Sequence, residues 1–231
     1  MIIVRKSADR GKTRTDWLES YHTFSFAEYD DPKHRSFGDL RVINEDFVQA
    51  GHGFSLHPHH DMEIITYVVE GEIAHKDSMG NGSSIKPREI QKMSAGSGVR
   101  HSEYNNSKHD LLHLLQIWII PDRPDIVPAY EQKKIPDISN QLILIGSPSG
   151  GEHAVQIHQN VNLYVAYLEP KALIEYELKT KNHAWIQIIK GEIKLNDTIL
   201  SAGDGAAIEN ENILAIESIA QSEILLFDMI R

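Results

Sequence analysis

The chain has 231 residues, 33 acidic and 23 basic side chains, a formal charge of −10 and no cysteine. The length suits one large β domain or two domains of about 100–130 residues. Without thiols there are no disulfides, thiolate metal ligands or cysteine nucleophile, and the acidic balance argues against direct nucleic-acid binding, which rests on a basic footprint.

The opening apolar run at Met1–Val4 is too short for a secretory leader core. No stretch approaches the roughly 18–20 apolar residues of a membrane span. A soluble cytoplasmic protein that makes no membrane contact is therefore expected. Met1–Arg5 is strand-like and could add an edge strand to either half of the chain. Further on, Glu63–Val69, Leu114–Ile120, Leu163–Leu168, Trp185–Ile189 and Ile224–Met229 are rich in β-branched and aromatic residues. Turn residues such as Gly71, Asn81-Gly82, Gly96, Gly151, Gly191 and Gly203 separate them, which favours an all-β sandwich or barrel. Asp125–Gln132, close to Pro121, Pro124 and Pro128, could hold one short helical turn and also reads as an inter-domain connector.

Two short matches suggest an internal repeat. The run YVVEGEIAH around Gly71 matches IIKGEIKLN around Gly191, and SAGSG at Ser94–Gly98 matches SAGDG at Ser201–Gly205. Laid on these anchors, His57 falls on Glu177, His59 on Lys179, His101 on Ile208 and Glu103 on Asn210. The second copy is therefore expected to lack a metal site.

Eight of the 13 histidines lie between His52 and His113. Within that stretch, His57-Pro58-His59 and His101-Ser102-Glu103 each place two metal-binding side chains at i and i+2. Strand side chains alternate with period 2, so each pair shares a face. Together they offer three imidazoles and one carboxylate to a divalent transition metal, with positions open for a substrate. Glu63 competes with Glu103 for the carboxylate role, since by parity it could share a face with His59.

The spacing Gly51-x5-His57-x-His59-x3-Glu63 followed by Gly71 resembles the first cupin motif, and Gly98-x2-His101-x3-Asn105 resembles the second. The longer run HPHHDMEIITYVVEGEIAHKDSMGNG…MSAGSGVRHSEYN resembles the pirin family of two-domain cupins, most of all its bacterial quercetin 2,3-dioxygenases. The resemblance implies two tandem jelly-roll-like β-barrels with little helix, a metal-binding domain over residues 1–125 and a second barrel over 126–231. It implies His57, His59, His101 and Glu103 as ligands of one divalent ion, iron first, with manganese, nickel, copper, cobalt or zinc as alternatives. Pro87-Arg88-Glu89 departs from the Pro-Gly-Asp often found in the family at this turn.

The same resemblance implies the reaction. A flavonol is held through its 3-hydroxyl, Glu103 takes the proton as ligand and base, and reaction with O2 releases carbon monoxide and a depside. The implied partners are a small aromatic substrate and O2, with the chain acting as a monomer. Two other readings share the ligand set: a non-catalytic, metal-responsive regulator that binds a protein partner, and a cupin enzyme acting on another enolisable small molecule. Phe24, Phe26, Phe37 and Phe54 are candidates for the pocket wall. His52, His60, His75, His109, His113 and His183 are read as bystanders, Asn105 as structural, and Tyr67, Trp118 and Trp185 as core.

Overall fold

β-Branched runs punctuated by glycine turns fold here into strands almost throughout. The computed structural model describes residues 1–178 and 182–230, and among these the only helical turn is a 3-10 turn at Ser7–Asp9. In chain order the strands are β1 Ile2–Arg5, β2 Gly11–Arg14, β3 Leu18–His22, β4 Leu40–Val48, β5 Gly53–His59, β6 Glu63–Glu70, β7 Ile73–Asp77, β8 Gly82–Ile85, β9 Glu89–Ser94, β10 Val99–Asn105 and β11 Leu112–Ile119. They continue as β12 Ala129–Lys134, β13 Ile143–Ser147, β14 Val155–Gln156, β15 Val161–Leu168, β16 Leu173–Glu177, β17 Asn182–Lys190, β18 Glu192–Leu195, β19 Thr198–Ser201, β20 Gly205–Glu209, β21 Ile213–Ser218 and β22 Ser222–Ile230. No helix among the described residues is long and apolar enough to cross a membrane.

The chain forms two compact units. One holds residues 11–135 and 155–159; the other holds 1–10, 136–154 and 160–231. These bounds differ from a single division after residue 125. In the first unit one sheet runs β12-β9-β6-β11-β4-β3-β2 and the other β5-β10-β7-β8. In the second, β1-β20-β17-β22-β15-β13 face β16-β21-β18-β19 in the same serial pattern. The difference has a simple cause. β1 completes the second unit by pairing with β20, Ile2 opposite Ile208, and β12 completes the first by pairing with β9, Ala129 opposite Ser94. β12 also replaces the expected helical turn, because Pro128 removes a backbone donor and biases the residue before it to extended geometry.

Strand order tests the two repeat anchors. Gly71 joins β6 to β7 and Gly191 joins β17 to β18, which occupy matching places, so this anchor is structural. The second anchor is not. Ser94–Gly98 follows β9, whereas Ser201–Gly205 precedes β20, the counterpart of β9. The counterpart of β10 is thus β21, so Ile208 and Asn210 are not the counterparts of His101 and Glu103. Lys179, matched to His59 through the sound anchor, lies outside the described residues. At the departure from the family pattern, Arg88 has φ +65°. The turn keeps the left-handed backbone that a glycine would adopt freely, and Arg88 carries the strain.

Gly71 and Gly191 both sit at positive φ, +87° and +79°. A Cβ on Gly71 would meet Leu111 O at 3.0 Å, but one on Gly191 would meet Gln221 O at 2.2 Å. Left-handed backbone costs an L-residue about 1–2 kcal/mol, and forced overpacking adds roughly 1–3 kcal/mol. Thermal denaturation should therefore show Gly191→Ala losing more stability than Gly71→Ala. Equal losses would mean that backbone conformation alone sets the cost.

Candidate metal centre

β5 is an edge strand, which lets Pro58 sit inside it without breaking a sheet ladder. Its partner β10 brings His101 directly opposite His57, and Val99 opposite His59. One donor nitrogen from each of His57, His59 and His101 lies within 4.8 Å of the others. His57 Nε2 and His101 Nε2 are 3.0 Å apart. His57 Nδ1 lies 2.7 Å from Ser55 O. A carbonyl can only accept, so the proton belongs on Nδ1 and the Nε2 lone pair turns toward the other rings. Burial pushes His59 down to about 4, with the His101 and His57 rings acting the same way. Burial likewise pushes His101 down to about 3, with His57 and His75 adding to it. Unprotonated nitrogens aimed at one point are what a divalent cation requires. The donor set fits such an ion.

Glu103 is 3% exposed. Thr66 Oγ1 donates to its Oε1 at 3.1 Å, and Gln116 Nε2 donates to its Oε2 at 2.8 Å. It lies outside the three-histidine group at that spacing and groups instead with His101 and His75. A register shift between His101 and Glu103 on the β5 side accompanies the offset. Glu63 is placed differently. On β6, Ile64 lines the cavity and Thr66 reaches Glu103, so Glu63 faces the opposite side of the strand, not the face of His59. There it is fully buried 3.9 Å from Lys92 Nζ, and accepts the His158 backbone N–H at 3.1 Å.

The imidazoles and Glu103 open on a cavity of about 610 Å3, part of it continuous with solvent. Phe26, Phe54, Ile64 and Trp118 form its apolar wall. Trp118, expected in the core, stands edge-on to His59 at 5.0 Å and to Phe26 at 5.4 Å. Phe24 is buried and Phe37 lies in a local bridge to Leu40; neither lines the cavity. Opposite residues of an antiparallel pair share a face. The rows Thr13–Ser20–Asp46 and His22–Asn44–Gln116–Thr66 therefore put a polar stripe on the cavity side. His22 Nδ1 donates to Asn44 Oδ1 at 2.8 Å, and Thr13 Oγ1 lies 2.9 Å from His22 Nε2.

The other histidines separate from this cluster. His60 is exposed between Asp61 at 2.9 Å and Asp125 at 3.4 Å. His113 bonds Glu45 at 2.9 Å and stacks on Phe47. His52 and His109 are exposed, and His183 is buried in the second unit. His75 is closer to the centre than expected, with its ring 5.3 Å from that of His101 and its Nε2 3.2 Å from Asp77 Oδ2. Asn105 Nδ2 ties Val48 O to Asp110 O, a structural role. Tyr67 and Trp185 are buried. Sequence reasoning missed Thr66, Gln116, Asn44 and Asp46. The available signal was polarity inside apolar strands, above all Gln116 within LLQIWII.

Asp46 is the one carboxyl of the stripe, and it is perturbed. Burial raises it to about 7, Glu103 and Glu45 push the same way, and a hydrogen bond from Ser20 opposes them. The unfolded value is near 3.8. Below that value both states hold the proton; between it and about 7 only the folded state does, so stability falls as pH rises and the loss is complete above 7. Asp46→Asn should accordingly raise the melting temperature at pH 8 by about 4–8 °C, corresponding to roughly 2 kcal/mol, and have little effect at pH 4. A gain that does not depend on pH would contradict this.

Known proteins resemble this chain over nearly its full length. The family model described as Pirin matches residues 4–119, and that described as Quercetinase C-terminal cupin domain matches residues 144–229. Quercetin 2,3-dioxygenase of Escherichia coli K12 is 44% identical over 229 residues, 99% of this chain and 99% of that protein. The crystal structure of the E. coli bacterial pirin YhhW in complex with nickel(II) superposes with a TM-score of 0.95 at 44% identity, covering 99% of each chain. That of E. coli YhaK does so with a TM-score of 0.77 at 28% identity, covering 92% of this chain and 94% of the other. With both family models matched and near-complete relatives at this identity, the chain belongs to the pirin family.

Proposed function

We propose that this protein is a metal-dependent dioxygenase that cleaves flavonols such as quercetin with O2 and releases carbon monoxide. The observation that carries the reading is the convergence of three imidazoles, beside a buried carboxylate, on a cavity walled by flat aromatic and aliphatic side chains. Near-full-length similarity to an enzyme named quercetin 2,3-dioxygenase supports it. In this reading His57, His59, His101 and Glu103 hold one divalent transition metal; the nickel(II) complex of the E. coli relative supports nickel beside iron. The bound ion supplies a Lewis acid that lowers the pKa of the substrate's 3-hydroxyl and stabilises its oxyanion.

The chain's own residues do the rest. Glu103 accepts the 3-hydroxyl proton, and Thr66 and Gln116 hold its carboxylate in place for that transfer. Phe26, Phe54 and Trp118 clasp the flat ring system and keep water from the electron-rich carbon skeleton. In the net reaction both atoms of O2 enter the depside, and the hydroxyl-bearing carbon leaves with its own oxygen as carbon monoxide.

Headspace carbon monoxide tests the reading. The purified protein is loaded separately with iron, manganese, nickel, copper or cobalt and given quercetin in air. The expected result is about one carbon monoxide per quercetin consumed, with the rate of release lowered by about 10²-fold or more in Glu103→Ala. His101→Ala should lose the ion itself, read by elemental analysis. No carbon monoxide with any metal, at one ion per chain, overturns the proposal.

A further inference from the structure

Asp46 stands apart from the machinery just described. It is 3% exposed, lines the same cavity as the three imidazoles, and has one carboxylate oxygen, Oδ1, without any hydrogen-bond partner. Ser20, directly opposite on β3, donates to the carboxylate. One row along, His22 and Asn44 are bonded to each other. Buried polar atoms are almost always satisfied, so an orphan oxygen on a residue that lines a cavity marks a place where something else binds.

The chemistry of that ligand can be read from its surroundings. The stripe mixes hydroxyl, amide, imidazole and carboxyl groups, which suits a partner that both donates and accepts. Around it the wall is apolar and aromatic, with Phe26 packed on the His22 ring at 5.2 Å and against Trp118 at 5.4 Å. A hydroxyl carried on a flat aromatic ring meets both demands. A hydroxyl-free ring would leave Oδ1 unpaired against carbon, which is how buried polar sites reject analogues lacking the matching group.

We infer that Asp46, flanked by Ser20, His22 and Asn44, forms a second polar subsite that accepts a hydrogen bond from a phenolic hydroxyl of the substrate remote from the one that reacts. The subsite selects polyhydroxylated aromatics over bare ones. This inference rests on the dioxygenase reading for its substrate class but not for its geometry.

The test compares quercetin with 3-hydroxyflavone, which carries only the reacting hydroxyl, on metal-loaded wild type, Asp46→Leu and Asp46→Asn. The quantity read is the ratio of kcat/KM for quercetin to that for 3-hydroxyflavone. Asp46→Leu should lower the ratio by about 10–100-fold. Asp46→Asn keeps an acceptor oxygen and the shape of the side chain, so its ratio should fall less. A purely structural role would lower both substrates together and leave the ratio unmoved, which would overturn the proposal. If wild type releases no carbon monoxide from either compound, the dioxygenase reading fails on its own, and binding of the two flavonols by fluorescence quenching decides the subsite. Loss of preference for quercetin in Asp46→Leu would uphold it; unchanged preference would overturn it.

Discussion

A metal ion binds imidazole only through an unprotonated nitrogen, and the wall around β5 and β10 keeps such nitrogens available. Burial of His59 and His101 makes the charged ring costly. The neighbouring rings add to this: His57 and His101 disfavour charge on His59, and His57 on His101, with ring centroids 4.5–4.8 Å apart. The Ser55 carbonyl settles the tautomer of His57. Desolvation also raises Asp46, which lines the same cavity as the three imidazoles. The lowered pKa values of His59 and His101 and the raised one of Asp46 are results of one desolvated wall.

Strand parity and register then decide what faces that site. On β6 the even positions Ile64 and Thr66 look inward, while Glu63 looks outward into a buried group with Lys92 and His158. Lys92 Nζ, fully buried, donates to Ser94 Oγ at 2.7 Å. Two carboxylates buried on opposite sides of β6 therefore have different kinds of partner. Glu63 is paired with a cation and a backbone N–H from the 155–159 segment; Glu103 is held by the neutral donors Thr66 and Gln116. A buried charge persists only with partners, and the kind of partner sets what the charge can do.

Much of this was legible in the chain. His57-x-His59 and His101-x-Glu103 were legible as candidate donor pairs because period-2 geometry is local; the structure brings His57, His59 and His101 together and groups Glu103 with His101 and His75. The long apolar runs became β6, β11, β15, β17 and β22 for the same reason. What was illegible depends on pairing between distant strands. SAGSG and SAGDG are chemically alike but serve different turns, since turn sequence constrains local backbone and says nothing of which strand follows. The pairing of β1 with β20 and of β12 with β9 required the sheet itself. Asp46 and Gln116 were hidden because their importance comes from cross-strand neighbours; Gln116 sits alone in an apolar run, and Asp46 directly follows Asn44 and Glu45.

The two units show how little the fold demands of its interior. In the first, one row across the sheet reads Asn44–Gln116–Thr66–Gln91. The matching row of the second, found through the Gly71 and Gly191 turns, reads Tyr164–Leu226–Ile186–Ala206. One row along, Asp46–Leu114–Val68 becomes Ala166–Ile224–Ile188. With those exchanges the second interior closes into a continuous aliphatic cluster that includes Ile186, Ile188, Ile193, Leu200 and Leu226. Strand order is the same in both, so it does not dictate a hollow. The hollow arises where polar side chains replace aliphatic ones at inward positions. Such groups add little by packing and cost stability when desolvated. A fold that can fill its barrel with isoleucine and leucine, and does so once, is under no structural compulsion to keep the polar row in its other barrel. That row has to be explained by what enters the cavity.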